Sequence, residues 1–266
     1  MREGTLGINA RRDAGAPQGT QAVIRAVRIL KAVSRARKDV SLVELCSDVG
    51  LSKPTAHRIL SALISEGLVV QDPASRSFRI GPEAISLGAH TVYRTDLRSL
   101  ARPFLESLAA EAGETATLEV PVRDEMLILD EVEGRHIIGA RTEVGARWPM
   151  HATSTGKAVL ADLSPDDLES RLKKPKEQLT PNTITDAGKL RKALEAVRKK
   201  GYAVAIGELQ PDFSAVGAAV RDTTAAVVAS LSIGGPSERL PRKRLGELGN
   251  LVRDAADKLS EQLSRL

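Results

Sequence analysis

Lys53, Thr55, His57, Arg58 and Ser61 share one side of a run that reads as helical from Lys53 to Leu63, with Ile59, Leu60 and Leu63 turned the other way. Two cations and three short hydrogen-bonding side chains, with no bulky apolar residue among them, suit the major groove of duplex DNA. They offer donors for phosphates and reach toward base edges. Ser52 occupies the N-cap position of this helix, and Pro54 lies just inside its start, where a missing N–H costs little. Val49-Gly50-Leu51-Ser52 joins it to an earlier run in which Leu42, Leu45 and Cys46 recur at i, i+3 and i+4, and Gly50 supplies the backbone that ends that run. The competing reading is an ordinary helical hairpin whose polar face is merely solvated.

A reading helix needs elements that brace it. Gln21–Ser34 supplies a first helix, with Val23, Val27, Leu30 and Val33 on one face and Arg25, Arg28 and Lys31 off it. Beyond Leu63, Ser65-Glu66-Gly67 ends the reading helix and Leu68-Val69-Val70 begins a short strand. Asp72-Pro73-Ala74-Ser75 is turn chemistry, and Arg76–Ile80 alternates as a second strand. Three helices and a hairpin make a winged helix-turn-helix, whose wing places Arg76 and Arg79 for phosphates flanking the groove. Residues 1–19 lack periodicity and read as a disordered arm, with Arg11 and Arg12 in reach of a minor groove. Gly81-Pro82 closes the module at residue 81. The segment from 82 to 97 reads as a linker helix, whose Ile85, Leu87, Gly88, Val92 and Tyr93 could pack against a second copy.

Residues 98–266 form the second domain. Glu83–Ala112 is helical with interruptions near Thr95-Asp96 and Pro103, and Gly113 stops it. Short strands follow at Thr115–Val120, Met126–Val132 and Ile137–Ala140, then an irregular loop from Arg141 to Met150 that carries Trp148. Thr155–Leu160 is a short helix. Ser164-Pro165-Asp166-Asp167 is a cap, a proline and two acids on the positive end of the next helix dipole. A helix from Thr185 or Asp186 ends at Gly201. Strands at Tyr202–Ile206, Val216–Val220 and Ala226–Ile233 precede a break at Gly234-Gly235-Pro236 and a closing helix, Leu240–Leu266. Mixed strands with packed helices make this domain α+β.

Charge separates the two parts. Residues 1–80 hold 13 Lys+Arg against 7 Asp+Glu, net +6, and the remainder holds 26 against 27, net −1. The basic excess therefore accompanies the reading helix, as a polyanion partner requires. Six aromatic residues in the whole chain argue against a base-stacking single-strand surface. The lone Cys46 excludes an internal disulfide and fits a cytoplasmic protein. No apolar run approaches the ~20 residues of a membrane span, and the first fifteen residues lack the apolar core of an export signal.

The order of parts resembles the IclR-type (isocitrate lyase regulator) bacterial transcription factors. The likeness runs from Ala22 to Leu266. It rests on GLSKPTAHRILSALISEGLV (Gly50–Val69), FRIG (Phe78–Gly81), PMHATSTGKAVLA (Pro149–Ala161), GYAV to Glu208 (from Gly201), VGAAVRD (Val216–Asp222) and ASLSIGGPSERL (Ala229–Leu240). The resemblance implies a winged helix-turn-helix joined by a linker helix to an effector-binding domain of GAF/profilin-like fold. It also implies homodimers or dimers of dimers acting on palindromic double-stranded operators of catabolic operons, as repressor or activator according to a small-molecule effector. By resemblance the effector pocket is lined by Ile137, Ala140, Trp148, Ser154, Thr155, Ala205, Ala215, Ser232 and Gly234.

Members that bind small keto acids carry an acid where this chain has Ala205, a cysteine at Ala215 and a serine at Gly234. Fewer polar anchors remain: the Ser154 and Thr155 hydroxyls, nearby N–H groups and Ser232. An organic acid can still bind at the N-terminus of the Thr155–Leu160 helix, and the smaller side chains with Trp148 point to a larger or aromatic acid.

An enzyme using the second domain's pocket is the rival from another class. Gly156-Lys157 invites a phosphate-loop reading, yet no glycine stands five residues before Gly156, and Ala158 replaces the Ser or Thr that would hold Mg²⁺. Four scattered histidines and one cysteine make no zinc set. His151 near Ser154 lacks a nucleophile elbow and an orienting acid. No catalytic residue, metal or cofactor is therefore expected. A ligand-free architectural DNA binder is the third option, and the large neutral second domain argues against it.

Overall fold

The computed structural model describes residues 20–36, 38–84, 86–87, 97–136 and 144–265. The amino-terminal arm with Arg11 and Arg12, much of the expected linker helix, and the strand expected at Ile137–Ala140 lie outside the described residues. The chain divides into two compact units, Met1–Thr95 and Asp96–Leu266.

In the first unit, α1 (Gln21–Arg35), α2 (Leu42–Val49) and α3 (Lys53–Ser65) precede a hairpin of β1 (Val69–Gln71) and β2 (Phe78–Ile80). Ser41 starts α2 with a reciprocal cap. Its hydroxyl accepts from the Glu44 N–H while the Glu44 carboxylate accepts from the Ser41 N–H. Gly50 ends α2 at φ 67. The core is small: Ile29, Val33, Leu45, Ala56, Leu60, Leu63, Val69 and Phe78. The hairpin pairs Val69 with Ile80 and Gln71 with Phe78, and a further bridge from Val40 to Phe78 ties the wing to the loop before α2. This is the expected winged helix-turn-helix.

One detail of α1 differs. Val23 and Val27 are 64% and 44% exposed, and the buried residues are Ile29, Ala32 and Val33. The helix carries apolar residues on two overlapping stripes. The stripe that packs keeps Leu30 and Val33 of the expected face but runs through Ile29 and Ala32 instead of Val23 and Val27.

In the second unit the strands β3 (Thr115–Val122), β4 (Glu125–Val132), β5 (Arg147–Pro149), β6 (Ala203–Ile206), β7 (Phe213–Arg221) and β8 (Val227–Pro236) form one sheet in the order β5-β4-β3-β8-β7-β6, every neighbouring pair antiparallel. On one face α4 (Leu97–Ala112) and α8 (Arg242–Leu263) bury Leu105, Leu108, Leu245, Val252 and Leu259 against Ala116, Leu118, Val216, Ala218, Leu231 and Ile233. On the other face α5 (Ser154–Asp162), α6 (Pro165–Leu172) and α7 (Ala187–Lys200) build a second core with Met126, Met150, Leu160, Leu168, Leu190 and Leu194. The architecture is α+β, as expected.

Three local expectations need correction. Arg147–Pro149 is not irregular loop but an edge strand, with Trp148 opposite Met126. Gly234-Gly235-Pro236 does not break the chain: β8 continues through it, pairing Gly234 with Ala215 and Pro236 with Phe213. Pro103 does not interrupt α4. Five buried residues of that helix, from Ala101 to Ala112, hold it against the sheet and outweigh the one hydrogen bond that the proline ring removes.

Candidate functional site

The first candidate surface is the outer side of α3. Ala56, Leu60 and Leu63 are buried, while Ser52, Lys53, His57, Arg58 and Ser61 are exposed and Thr55 is half-buried. The anticipated residues thus share one solvent-facing side of a helix fixed from behind by the core.

The hydroxyls of three of them are already engaged. Ser52 sits at the N-cap position but does not cap. Its hydroxyl lies 2.9 Å from the Thr55 hydroxyl. Ser61 donates to the His57 carbonyl at 3.0 Å, a back-bond to its own helix. Lys53 and Arg58 make no ion pair among the described residues and keep their donors for a partner.

In the wing, Asp72 organises the turn by accepting from Ala74 N–H, Ser75 N–H and the Ser75 hydroxyl. Those bonds, Ser75's backbone N–H foremost, hold its carboxyl below the usual range. Arg76 occupies the left-handed region at φ 59. Both Arg76 and Arg79 are exposed.

The second candidate site is an open-mouthed cavity between the sheet and the first turn of α5. Trp148, Ser154, Thr155, Ala205, Ala215, Ser232 and Gly234 all line it. Ile137 and Ala140 lie outside the described residues. The Thr153 hydroxyl caps α5 by accepting from the Gly156 N–H at 3.1 Å. A side chain at Gly156 would meet the Met150 backbone at 2.2 Å, so this glycine lets the short 3₁₀ turn Met150–Ala152 press against the helix. The start of α5 is thereby held in the cavity wall.

The cavity departs from the sequence-based picture in two respects. The space beside Gly234, where a serine was noted in other family members, is taken by the Phe213 ring, which lies 2.5 Å from where a Cβ would stand. The hydroxyl is exchanged for an aromatic wall. Moreover, the Thr155 and Ser232 hydroxyls, expected as free anchors, belong to a network centred on a residue the sequence reading missed. Glu119 is 6% exposed. Its Oε2 accepts from Thr155 at 2.7 Å and its Oε1 from Thr117 at 2.9 Å, and Thr117 lies 2.7 Å from the Ser232 hydroxyl. Burial pushes the Glu119 carboxyl above its ordinary value of 4.5, against the pull of the two threonines.

The signal was present in the alternation of Thr115-Ala116-Thr117-Leu118-Glu119-Val120: the apolar members face one core and the polar members face the cavity. Trp148 adds a buried indole N–H without a hydrogen-bond partner among the described residues.

Beneath the cavity, Lys157 of α5 is 3% exposed and donates to Glu208 Oε1 at 2.6 Å and to the Val204 carbonyl at 2.5 Å. Burial lowers the pKa of this ammonium, and Glu208 pulls it back up. Among the described residues no group of three His, Cys, Asp or Glu side chains is placed to hold a metal ion, and no helix is long and apolar enough to cross a membrane. His151, weighed above for nucleophilic chemistry, is instead bonded to the Glu177 carbonyl at 2.9 Å.

Comparison with known proteins places these features in context. The profile of the IclR helix-turn-helix domain matches residues 22–73, and that of the bacterial transcriptional regulator IclR C-terminal domain matches residues 89–261. The HTH-type transcriptional repressor AllR of Escherichia coli (strain K12) is 32% identical over 249 residues, covering 93% of this chain and 92% of the relative. An IclR transcriptional regulator from Alicyclobacillus acidocaldarius is similar in structure, with a TM-score of 0.78, 30% identity and coverage of 90% and 97%. An IclR homologue from Microbacterium hydrocarbonoxydans, solved as a complex with 4-hydroxybenzoate, has a TM-score of 0.79 at 25% identity, with coverage of 91% and 98%. The Escherichia coli and Alicyclobacillus relatives are named a repressor and a regulator of transcription, not enzymes.

Proposed function

We propose, from the premise that the chain belongs to the IclR family of bacterial transcriptional regulators, that α3 reads operator DNA and that the cavity beside α5 holds the controlling small molecule. The protein is a DNA-binding transcriptional regulator. In this reading it works in the cytoplasm, as a homodimer or dimer of dimers on a palindromic site of a catabolic operon. Ser52, Lys53, Thr55, His57, Arg58 and Ser61 meet the major groove, and Arg76 and Arg79 meet flanking phosphates. The effector is an organic acid, aromatic in preference to a two- or three-carbon keto acid, and is lined by the cavity residues together with Ile137 and Ala140.

The observation that carries the effector reading is the composition of the cavity. Trp148, Leu209 and Phe213 give it broad apolar walls, and its polar groups gather along Thr117, Glu119, Thr155 and Ser232. Such a site takes a flat apolar body with one polar end.

Calorimetric titration of the full chain with glyoxylate, pyruvate, benzoate and 4-hydroxybenzoate tests this directly. The aromatic acids are expected to bind, and a preference for the two smaller acids would refute the aromatic assignment.

The DNA assignment separates by residue. Arg58→Ala should weaken binding to the protein's own promoter by about 1–3 kcal/mol and relax preference at one base pair. Arg79→Ala should weaken operator and random duplex alike and lower the salt slope by about one phosphate contact. Gel-shift titrations at several salt concentrations distinguish the two. Uniform weakening by Arg58→Ala would make it a phosphate contact instead of a base reader.

A further inference from the structure

The described lining of the cavity contains no lysine, arginine or histidine. Among the described lining residues an acid effector meets no counter-charge, and it meets Glu119. Two ionised carboxylates at close range in such surroundings repel, whereas one neutral and one ionised carboxyl attract through a shared proton. The Glu119 side chain is prepared for the neutral role. Its burial on β3 and the lack of an ion partner among the described residues favour the neutral form, and they outweigh the Thr117 and Thr155 hydroxyls, whose hydrogen bonds favour the charged one. Trp148, whose buried indole N–H has no hydrogen-bond partner among the described residues, lines the same cavity and is a second candidate donor. The Ser154 and Thr155 N–H groups at the start of α5, left over once Thr153 has taken the Gly156 N–H, are a third.

Resting on the reading of this cavity as the effector site, we propose that Glu119 is its specificity determinant: it receives the effector's carboxylate as a carboxylic acid, the pair holding one proton between them. The proton lies on Glu119 before binding and is taken from water when Glu119 starts ionised. Beyond that O–H bond, formed as water gives up the proton and leaves hydroxide to the buffer, no covalent bond forms or breaks. The arrangement favours ligands with one carboxylate at the Glu119 end and excludes those with a second negative group there.

The other ionisable groups on the elements packed around Glu119 are committed elsewhere or lie outside the cavity lining. On α5, Lys157 is bound to Glu208 and Asp162 to Arg221. On β4, Asp130 pairs with Arg98 and Arg102 of α4, and Glu125 pairs with Arg147 of β5. Glu131 of β4 stands opposite Thr117 and does not line the cavity. In the 3₁₀ turn, His151 is bonded to the Glu177 carbonyl. The β8 strand, paired with β3 through Glu119 and Ser230, carries no titratable side chain. Glu119 is thus the group whose proton should govern binding.

Burial raises the pKa of the Glu119 carboxyl, so the proton is present at low pH and lost as pH rises. Benzoate and 4-hydroxybenzoate should bind the full chain with constant affinity at low pH. Above the point where free Glu119 ionises, affinity should fall about tenfold per pH unit. Titration calorimetry from about pH 5 to about pH 9, in buffers of different ionisation enthalpy, reads both the affinity and the protons taken up.

Uptake should approach one proton per acid at the high end. Glu119→Gln, whose amide N–H can donate in place of the acid, should bind the same acids with no pH slope and no uptake. If the acids bind the natural protein without slope or uptake, the shared proton is refuted and the effector reading stands. A slope that survives in Glu119→Gln refutes it equally. If no acid of the panel binds at any pH, the organic-acid reading itself falls, and this inference with it. The profile of the natural protein decides the matter even if the variant folds poorly.

Discussion

Lys157→Met should lower the unfolding free energy of the second unit by about 3–5 kcal/mol, because it leaves Glu208 buried with no cation. The pair is 3% and 9% exposed, with its charged atoms 2.6 Å apart. Glu208 Oε2 already lacks a hydrogen-bond partner among the described residues, so Oε1 depends on the ammonium. The methionine would fill the volume of the lysine stem without replacing that charge. It would also remove the bond to the Val204 carbonyl on the edge strand β6.

Urea unfolding followed by tryptophan fluorescence reads the loss cleanly, because Trp148 is the only tryptophan in the chain and lies in this unit. Adding Glu208→Leu should restore most of the loss, since replacing a buried pair with apolar groups is close to neutral where breaking it is not. A loss under about 1 kcal/mol for the single variant would mean that water reaches Glu208 and that the pair is not truly desolvated.

Leu60→Ala should abolish operator binding while leaving the Trp148 unfolding transition unmoved. Leu60 is 1% exposed at the centre of a core with few members, which includes Ile29, Leu45, Ala56 and Leu63. Large-to-small changes at such sites cost about 2–5 kcal/mol, and a module of this size has little stability to spare. The same side chain backs the polar side of α3, so losing it frees Lys53, His57 and Arg58 from a common orientation. Gel shift measures the first effect and fluorescence-detected urea titration the second. Retained operator affinity would mean that the module repacks around the missing side chain. A shifted Trp148 transition would show that the two units unfold together.

The sequence was most legible where one signal governs an element. Gly50 and Pro54 bracket α2 and α3, Ser164 and the two acids after it start α6, and Asp186 and Gly201 bound α7. The lining of the cavity was readable in outline because the motif around Pro149–Ala161 fixes where α5 begins. Three things were hidden.

The buried stripe of α1 was ambiguous, since Val23 and Val27 stand in helical register with Val33 as well as Ile29 does. The strand containing Trp148 is only three residues long, too short to carry alternation, and exists because β4 offers it an edge. Glu119 was passed over because a lone acid in an apolar strand looks like a surface position. Its burial is decided by α5, which is distant in sequence and places Thr155 over it.

The ladder between β7 and β8 spans nine paired positions, whereas β5 holds three against β4 and β6 holds four against β7. The two edge strands are therefore the most weakly held of the sheet, and amide hydrogens of β7 and β8 should be the slowest to exchange with deuterated solvent. Trp148 and Ala205, at the two weakly held margins, both border the cavity. Occupying the cavity should therefore slow exchange most at these margins and least at the centre, so the unit would answer its ligand by tightening its rim.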